Sequence, residues 1–322
     1  MLFDALAPSS ALHLIDFADV DSFRPLETME DARSIPLDVP NFAASRAIVS
    51  LPACRIVVMR SFARILDTAY RMPGGVVLLS MSDDLRVNSK GVDLDSRFFI
   101  ALRGNDDCHF VEPRNSNEHV MLIFSPSLPD RGWFDKADKL RAYAAHRPAL
   151  LHARQLILDI LRTASRQPEL FETSEVAGHL QEGLLLALDD LFRIKPDSQE
   201  SAPLQGGRCV QLVQRIDDYV DAYPTAPIYT ADLADEFGVS IRTISGAVAK
   251  VRGMSLHQYI RLKRLWATRA RLLRGDGVTV AACARAQGFH HLGEFAAVYR
   301  ATFQETPSET LARGRQVGLR AS

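Results

Sequence analysis

Two stretches, TADLADEFGVSIRTISGAVAKV at 230–251 and TVAACARAQGFHHLGEFAAVYR at 279–300, share one short grammar. Gly238 and Gly288 lie fifty positions apart, and Ala234 and Ala284 each stand four residues before them. Each stretch reads as a short helix, a tight turn at the glycine and a second, amphipathic helix. That is the helix-turn-helix pattern, whose second helix can lie in the major groove of DNA.

In the first stretch Thr230 is the expected N-cap, with Leu233, Ala234 and Phe237 turned inward. Gly238 is placed to take the left-handed conformation that costs glycine little. Ser240 is then expected to cap the second helix, which buries Ile244 and Val248. Arg242, Thr243, Ser245, Gly246 and Lys250 are left facing outward, with Arg252 just beyond. In the second stretch Val280, Cys283, Ala284 and Phe289 form the inward set, and the following helix buries Leu292, Phe295 and Tyr299. His290, His291, Gly293, Glu294, Ala297 and Arg300 remain available to a partner. Between the two, Ser255 and Gln258 form a capping box that opens a helix to about Arg274. About 20 residues at 1.5 Å each give roughly 30 Å, close to the ~34 Å between successive major-groove faces on one side of a duplex.

The charge balance agrees with that geometry. From Gln205 onward there are 16 Lys and Arg against 10 Asp and Glu, whereas the whole chain has 38 against 39. Nine basic residues and no acidic one fall between Gly238 and Gly275: Arg242, Lys250, Arg252, Arg261, Lys263, Arg264, Arg269, Arg271 and Arg274. A positive field confined to the helix-turn-helix region is what phosphate binding requires.

With 322 residues the chain is long enough for two or three domains. Its 47% hydrophobic and 24% charged residues are those of an ordinary globular protein. No apolar run approaches the ~18 residues needed to span a bilayer, so no membrane partner is expected. MLFDALAPSS at the start has no basic segment ahead of an apolar core, and a cytoplasmic location is the expectation. Cys54, Cys108, Cys209 and Cys283 are scattered without metal-ligand spacing and read as reduced structural thiols.

The first half has a different texture. Runs at 54–62, 75–81, 96–102 and 119–124 are rich in Val, Ile, Leu and Phe, with PGG (73–75), SKG (89–91) and RGN (103–105) between them as turn chemistry. Pro25, Pro36 and Pro40 argue against long helices in the first 45 residues. Helical texture begins after Trp133. Pro148 opens a helix to about Arg166, and a second spans about Thr173 to Ile194 with Leu180, Leu184, Leu188 and Leu191 in a stripe. These helices either pack on their own β-domain or supply a dimer seam through those four leucines. The polar stretch PDSQESAPLQGG reads as a linker. The expected architecture is therefore α+β. It comprises a β-rich, jelly-roll-like domain of cupin type at 1–130, a helical segment at 131–195, a linker at 196–207 and an all-α domain at 208–322 with two helix-turn-helix units joined by a long helix.

GFHHLGEFAAVYRATFQETPSETL (288–311) resembles the C-terminal signature of the AraC/XylS family of bacterial transcription regulators, through Gly288, Phe289, Phe295, Tyr299, Phe303, Thr306 and Pro307. The first unit resembles the family through Leu233, Ala234, Gly238, Val239, Ser240, Arg242 and Ile244, and the likeness covers about Arg208 to Arg313. It implies sequence-specific binding of double-stranded DNA by a homodimer acting with RNA polymerase at a promoter, and an N-terminal domain that senses a small effector. Gly246 and Ala297 stand where the family often has arginine, and Gln304 where it often has glycine. Base reading is thus expected from Arg242, Thr243, His291 and Glu294, with Ala297 against thymine methyls, and phosphate contacts from Lys250, Arg252, Arg300 and helix N-termini.

No signature marks the N-terminal part. His109, Glu112 and His119 lack the cupin His-x-His spacing, so no metal is expected. Asp106-Asp107 reads as turn chemistry, and no nucleophile–base pair indicates an enzyme or a cofactor. Arg60 and Arg64 have the spacing that resembles the dinucleotide-binding arm of PilZ domains, which makes them a candidate contact for a cyclic dinucleotide effector. A docking domain for a partner protein is the alternative to a sensor. A cupin-like metal enzyme fused to the DNA-binding tail is the third reading.

Overall fold

β-branched runs that alternate sides need two apolar partners, one for each face. The computed structural model, which describes residues 2–134, 139–193, 201–203, 207–275 and 278–321, supplies both. The strands are β1 (His13–Phe17), β2 (Met29–Pro36), β3 (Ala44–Ser50), β4 (Cys54–Ser61), β5 (Arg64–Ser80), β6 (Arg86–Ser89), β7 (Val92–Asp95), β8 (Phe98–Glu112), β9 (Asn117–Phe124) and β10 (Arg141–Ala144). Helices α1 (Arg147–Arg166) and α2 (Ser174–Arg193) follow, then a short β11 (Ser201–Pro203). The sheet runs β1-β3-β4-β9-β5-β8-β10-β11, with β2 on β5 and the β6–β7 hairpin on β8. The registers are antiparallel, for example Val57↔Met121 between β4 and β9.

Alternate residues of β4 go to different cores. Ile56 and Val58 join a cluster with Ile157 and Leu161 of α1 and Leu184 and Leu188 of α2. Val57 and Met59 join a second cluster built from strands and loops, with Leu66, Tyr70 and Met121. Each such side chain, taken from water, contributes about 1.5–3 kcal/mol. Arg154 ties α1 to the sheet by donating to the carbonyls of Ser80, Ser82 and Ser96 and to the Asp83 carboxylate.

Several expectations are corrected here. PGG and RGN do not end strands: Pro73-Gly74-Gly75 is a register shift inside β5, and Gly104 faces Met72 across the ladder inside β8. A Cβ on Gly74 would collide with the Phe124 carbonyl, which explains the glycine. Asp106 is likewise in a strand, where it accepts from Lys90 Nζ (2.8 Å) and the Leu140 amide. The first 45 residues hold no long helix, as their prolines led us to expect, and contribute β1, β2 and the start of β3. Leu184, Leu188 and Leu191 are buried in the core of their own domain, with Leu180 packed against it, so this stripe is not an open seam.

Arg64 is buried and pairs with Glu112 (2.9 Å), while Arg60 lies 3.5 Å from Glu118 and 3.7 Å from Asp4. These two arginines are thus structural ion-pair members rather than a free arm. Burial opposes ionisation of Glu112, but Arg64 and the Ser61 hydroxyl outweigh it and hold the carboxyl below its ordinary value. His109 is engaged by Asp67 at 2.7 Å. Among the described residues no cluster of His, Cys, Asp or Glu could hold a metal ion.

The second half is helical: α3 (Gly207–Ala222), α4 (Thr230–Phe237), α5 (Ile241–Arg252), α6 (Leu256–Arg274), α7 (Val280–Arg285), α8 (Leu292–Phe303) and α9 (Pro307–Ala321). The chain is therefore α+β, an antiparallel sheet domain followed by a helical domain. Two compact units result, Met1–Ser34 with Phe42–Gln205 and Ile35–Asn41 with Gly206–Ser322. The linker expected over 196–207 lies outside the described residues except for β11 and Gly207. Among the described residues no helix is long and apolar enough to cross a membrane.

Candidate nucleic-acid interface

The first helix-turn-helix is α4 and α5. Gly238 closes α4 in the left-handed region (φ 64°, ψ 37°), and the Ser240 hydroxyl accepts from the Thr243 amide to cap α5. Leu233, Ala234, Ile244 and Val248 are buried, leaving Arg242, Thr243, Ser245, Gly246 and Lys250 exposed on one side of α5. The N-cap of α4 is Tyr229 rather than Thr230, and it offers no side-chain acceptor.

The second unit is α7 and α8. Thr279 caps α7 through the Ala282 amide. An aromatic ladder fixes α8 from beneath, with ring centroids 4.9 Å apart for Phe289–Phe295, 5.5 Å for Phe295–Tyr299 and 4.5 Å for Tyr299–Phe303. Burial pushes the Tyr299 hydroxyl up to about 12, and it hydrogen-bonds the Thr310 hydroxyl of α9. His290, His291, Gly293, Glu294, Ala297 and Arg300 are exposed.

Helix α6 joins the two units. The capping box of Ser255 and Gln258 is formed as expected, and Leu265 and Leu272 are buried within the domain. Its 19 residues give a rise of about 28 Å.

One predicted phosphate contact is corrected. Arg252 is 1% exposed and donates to Asp217 of α3 at 2.8 Å, with its guanidinium over the Tyr259 ring. This arginine at a helix end reaches back to a carboxylate instead of outward to solvent. Lys263 shares the same carboxylate at 3.1 Å, and Arg269 pairs with Glu305 at 3.0 Å. Arg264 donates to the Ala226 carbonyl at 2.6 Å. So the basic run is in part internal scaffolding, and the outward charge of the two reading helices rests on Arg242, Lys250 and Arg300.

Sequence reasoning missed a cleft of about 430 Å³ lined by the start of α4, the first half of α6 and the turn into α8. His257 and Arg261 of α6 line it, as do His290, His291 and Glu294. The signal that could have found it is negative: neither Tyr229 nor His291 is a capping residue type.

Residues 233–313 match a family model described as a helix-turn-helix domain. Over 141 residues the chain is 30% identical to the probable thc operon regulatory protein of Rhodococcus erythropolis, covering 43% of this chain and 41% of that protein. The chain thus spans about two fifths of the length of that curated relative. It is also 37% identical to a probable AraC family transcriptional regulator from Rhodopseudomonas palustris, over 32% of this chain and 97% of that one (TM-score 0.30). Residues 233–313 thus carry a helix-turn-helix domain, similar to that of a protein described as a probable AraC family regulator. ToxT from Vibrio cholerae is similar at 12% identity over 89% of this chain and 99% of that one (TM-score 0.30), a likeness too low to place anything here. Gly246 and Ala297, where the family it resembles often has arginine, are both exposed. A side chain on Gly246 would meet nothing within 4 Å.

Proposed function

We propose that this protein is a transcription regulator that binds promoter DNA through both helix-turn-helix units, α5 and α8 each entering a major groove. The observation that carries the reading is the pair of exposed helix faces within one domain, joined by a 19-residue helix whose length approaches one turn of a duplex. Arg242, Thr243 and Ser245 on α5 and His291, Gly293 and Glu294 on α8 would face base edges, with Ala297 against thymine methyls. Lys250 and Arg300 would hold phosphates, and Gly246 would let the backbone approach closely. The name of the Rhodococcus erythropolis relative, an operon regulatory protein, agrees with this reading.

In the same proposal residues 1–130 sense a small effector, 131–195 support dimerisation through faces other than the buried leucine stripe, 196–207 link, and 208–322 bind DNA. A homodimer would act with RNA polymerase in the cytoplasm. For the effector, a groove of about 480 Å³ between α1 and the sheet carries Arg86, Arg97, Arg147 and Arg154 with Asp83 and Asp95, a size and chemistry suited to a small polar or anionic metabolite. The second reading is that the N-terminal domain docks a protein. It is favoured by Leu151 and Leu186, 46% and 53% exposed on α1 and α2.

Titration of the full chain against a duplex pool tests the DNA part. Affinity is expected to fall steeply between 50 and 200 mM salt, by about 10³-fold or more if six phosphates are neutralised. Salt-independent or absent binding would overturn it. A metabolite that raises the melting point of the sheet domain supports the sensor, whereas a protein partner that does so, with no metabolite active, supports docking.

A further inference from the structure

The cleft is lined by Arg261, His257 and His290, which neither the base reading nor the phosphate grip of Lys250 and Arg300 uses. Arg261 and His257 line it from α6, and His290 and His291 line it from the turn before α8. All four side chains are exposed. Glu294 is the one acidic residue among the described residues that line it.

A second observation comes from the helix ends. Helices α5, α6 and α7 are capped by the hydroxyls of Ser240, Ser255 and Thr279, and α9 by Thr306 with Glu309. Helices α4 and α8 have N-caps, Tyr229 and His291, that supply no side-chain acceptor. Both of these uncapped ends open on the cleft. The first amides of a helix carry partial positive charge and need an acceptor, and phosphate oxygens are suited to supply one.

The chemistry therefore matches a run of phosphodiesters rather than base edges. Ile228, Leu256 and Ile260 form an apolar wall on which deoxyribose can lie, and that low-dielectric wall strengthens the charges at its rim. We propose that this cleft seats the DNA backbone where it crosses between the two major-groove segments, its phosphates held by Arg261, His257, His290 and the uncapped amides of α4 and α8. This rests on the proposed regulator function and deepens it. It gives His257, His290 and Arg261 a part in positioning the backbone, beside the base-reading residues of α5 and α8.

Full-length protein and a duplex selected by it from a random pool supply the test. Replacing Arg261 by Ala is expected to lower the slope of log affinity against log salt by about one, and replacing His257 and His290 together by Ala to weaken binding of every duplex. Ethylation of the phosphates between the two protected segments should block the parent and no longer affect the variants. Unaltered melting points confirm that the variants are folded, as expected for exposed side chains. Variants with the parent's salt slope and the parent's ethylation pattern would overturn the cleft assignment alone. A parent that shows no salt-sensitive affinity for any duplex would overturn the regulator reading and this one with it.

Discussion

At the residue scale, the same residue type has opposite duties depending on what lies across from it. Arg252 and Lys250 are two positions apart at the end of α5, yet Arg252 is buried on Asp217 and Lys250 is exposed. Arg252→Ala leaves the Asp217 carboxylate short of a partner and is expected to cost about 3–5 kcal/mol in chemical denaturation. Lys250→Ala should stay within about 0.5 kcal/mol of the parent and instead reduce the salt slope of DNA binding by about one. A second residue-scale prediction concerns Gln304, which ends α8 in the left-handed region at φ 57°. Glycine avoids the Cβ clash there, so Gln304→Gly should raise stability by about 1 kcal/mol, measured as a higher melting temperature. Sequence reading turned both Lys250 and Arg252 outward, and only Lys250 is exposed. Helical spacing says which side of α5 a residue occupies, but Asp217 is 35 residues away and no local pattern points to it.

At the element scale, the helices were legible and the long strands were not. Helix ends carry chemistry that can be read directly, as with Ser240, Gly238 and the Ser255–Gln258 box. PGG and RGN carry breaker chemistry too, but in β5 and β8 two irregular segments face each other across one ladder. A local reading sees two turns where pairing makes one bend. The uncapped starts of α4 and α8 were legible in principle, because an unfilled cap is as informative as a filled one. On α5, Gly246 is exposed in the helix interior with open space around it, so Gly246→Ala should stabilise the domain by about 0.5–1 kcal/mol. Gly246→Arg should enrich guanine in the duplexes the variant selects.

In α2, Asp189 accepts from the Arg131 guanidinium and from Trp133 Nε1 at 2.8 Å. The Arg131 hydrogen bond holds the Asp189 carboxyl below its ordinary value, with Trp133 adding to it. A carboxyl depressed on folding contributes stability that is present above its unfolded value, near pH 4, and is lost as pH falls through the folded value. The acid transition of Trp133 fluorescence should therefore move to higher pH in a less stable Asp189→Asn variant. An unchanged acid limb would remove Asp189 from that account.

At the scale of the whole molecule, the division of charge matters more than its sum. The C-terminal region is basic by sequence, but Arg252, Lys263 and Arg269 neutralise internal carboxylates and contribute little to an outward field. Arg242, Lys250 and Arg300 on the reading faces and Arg261 in the cleft are exposed and contribute to the outward field. The most direct measurement is hydroxyl-radical and methylation footprinting of the full-length chain on a selected duplex. Two protected major-groove segments about 10 base pairs apart per protomer, with the intervening backbone shielded, are predicted. Protection of a single segment, with the Arg300→Ala variant protecting the same bases as the parent, would contradict the claim that both units read DNA.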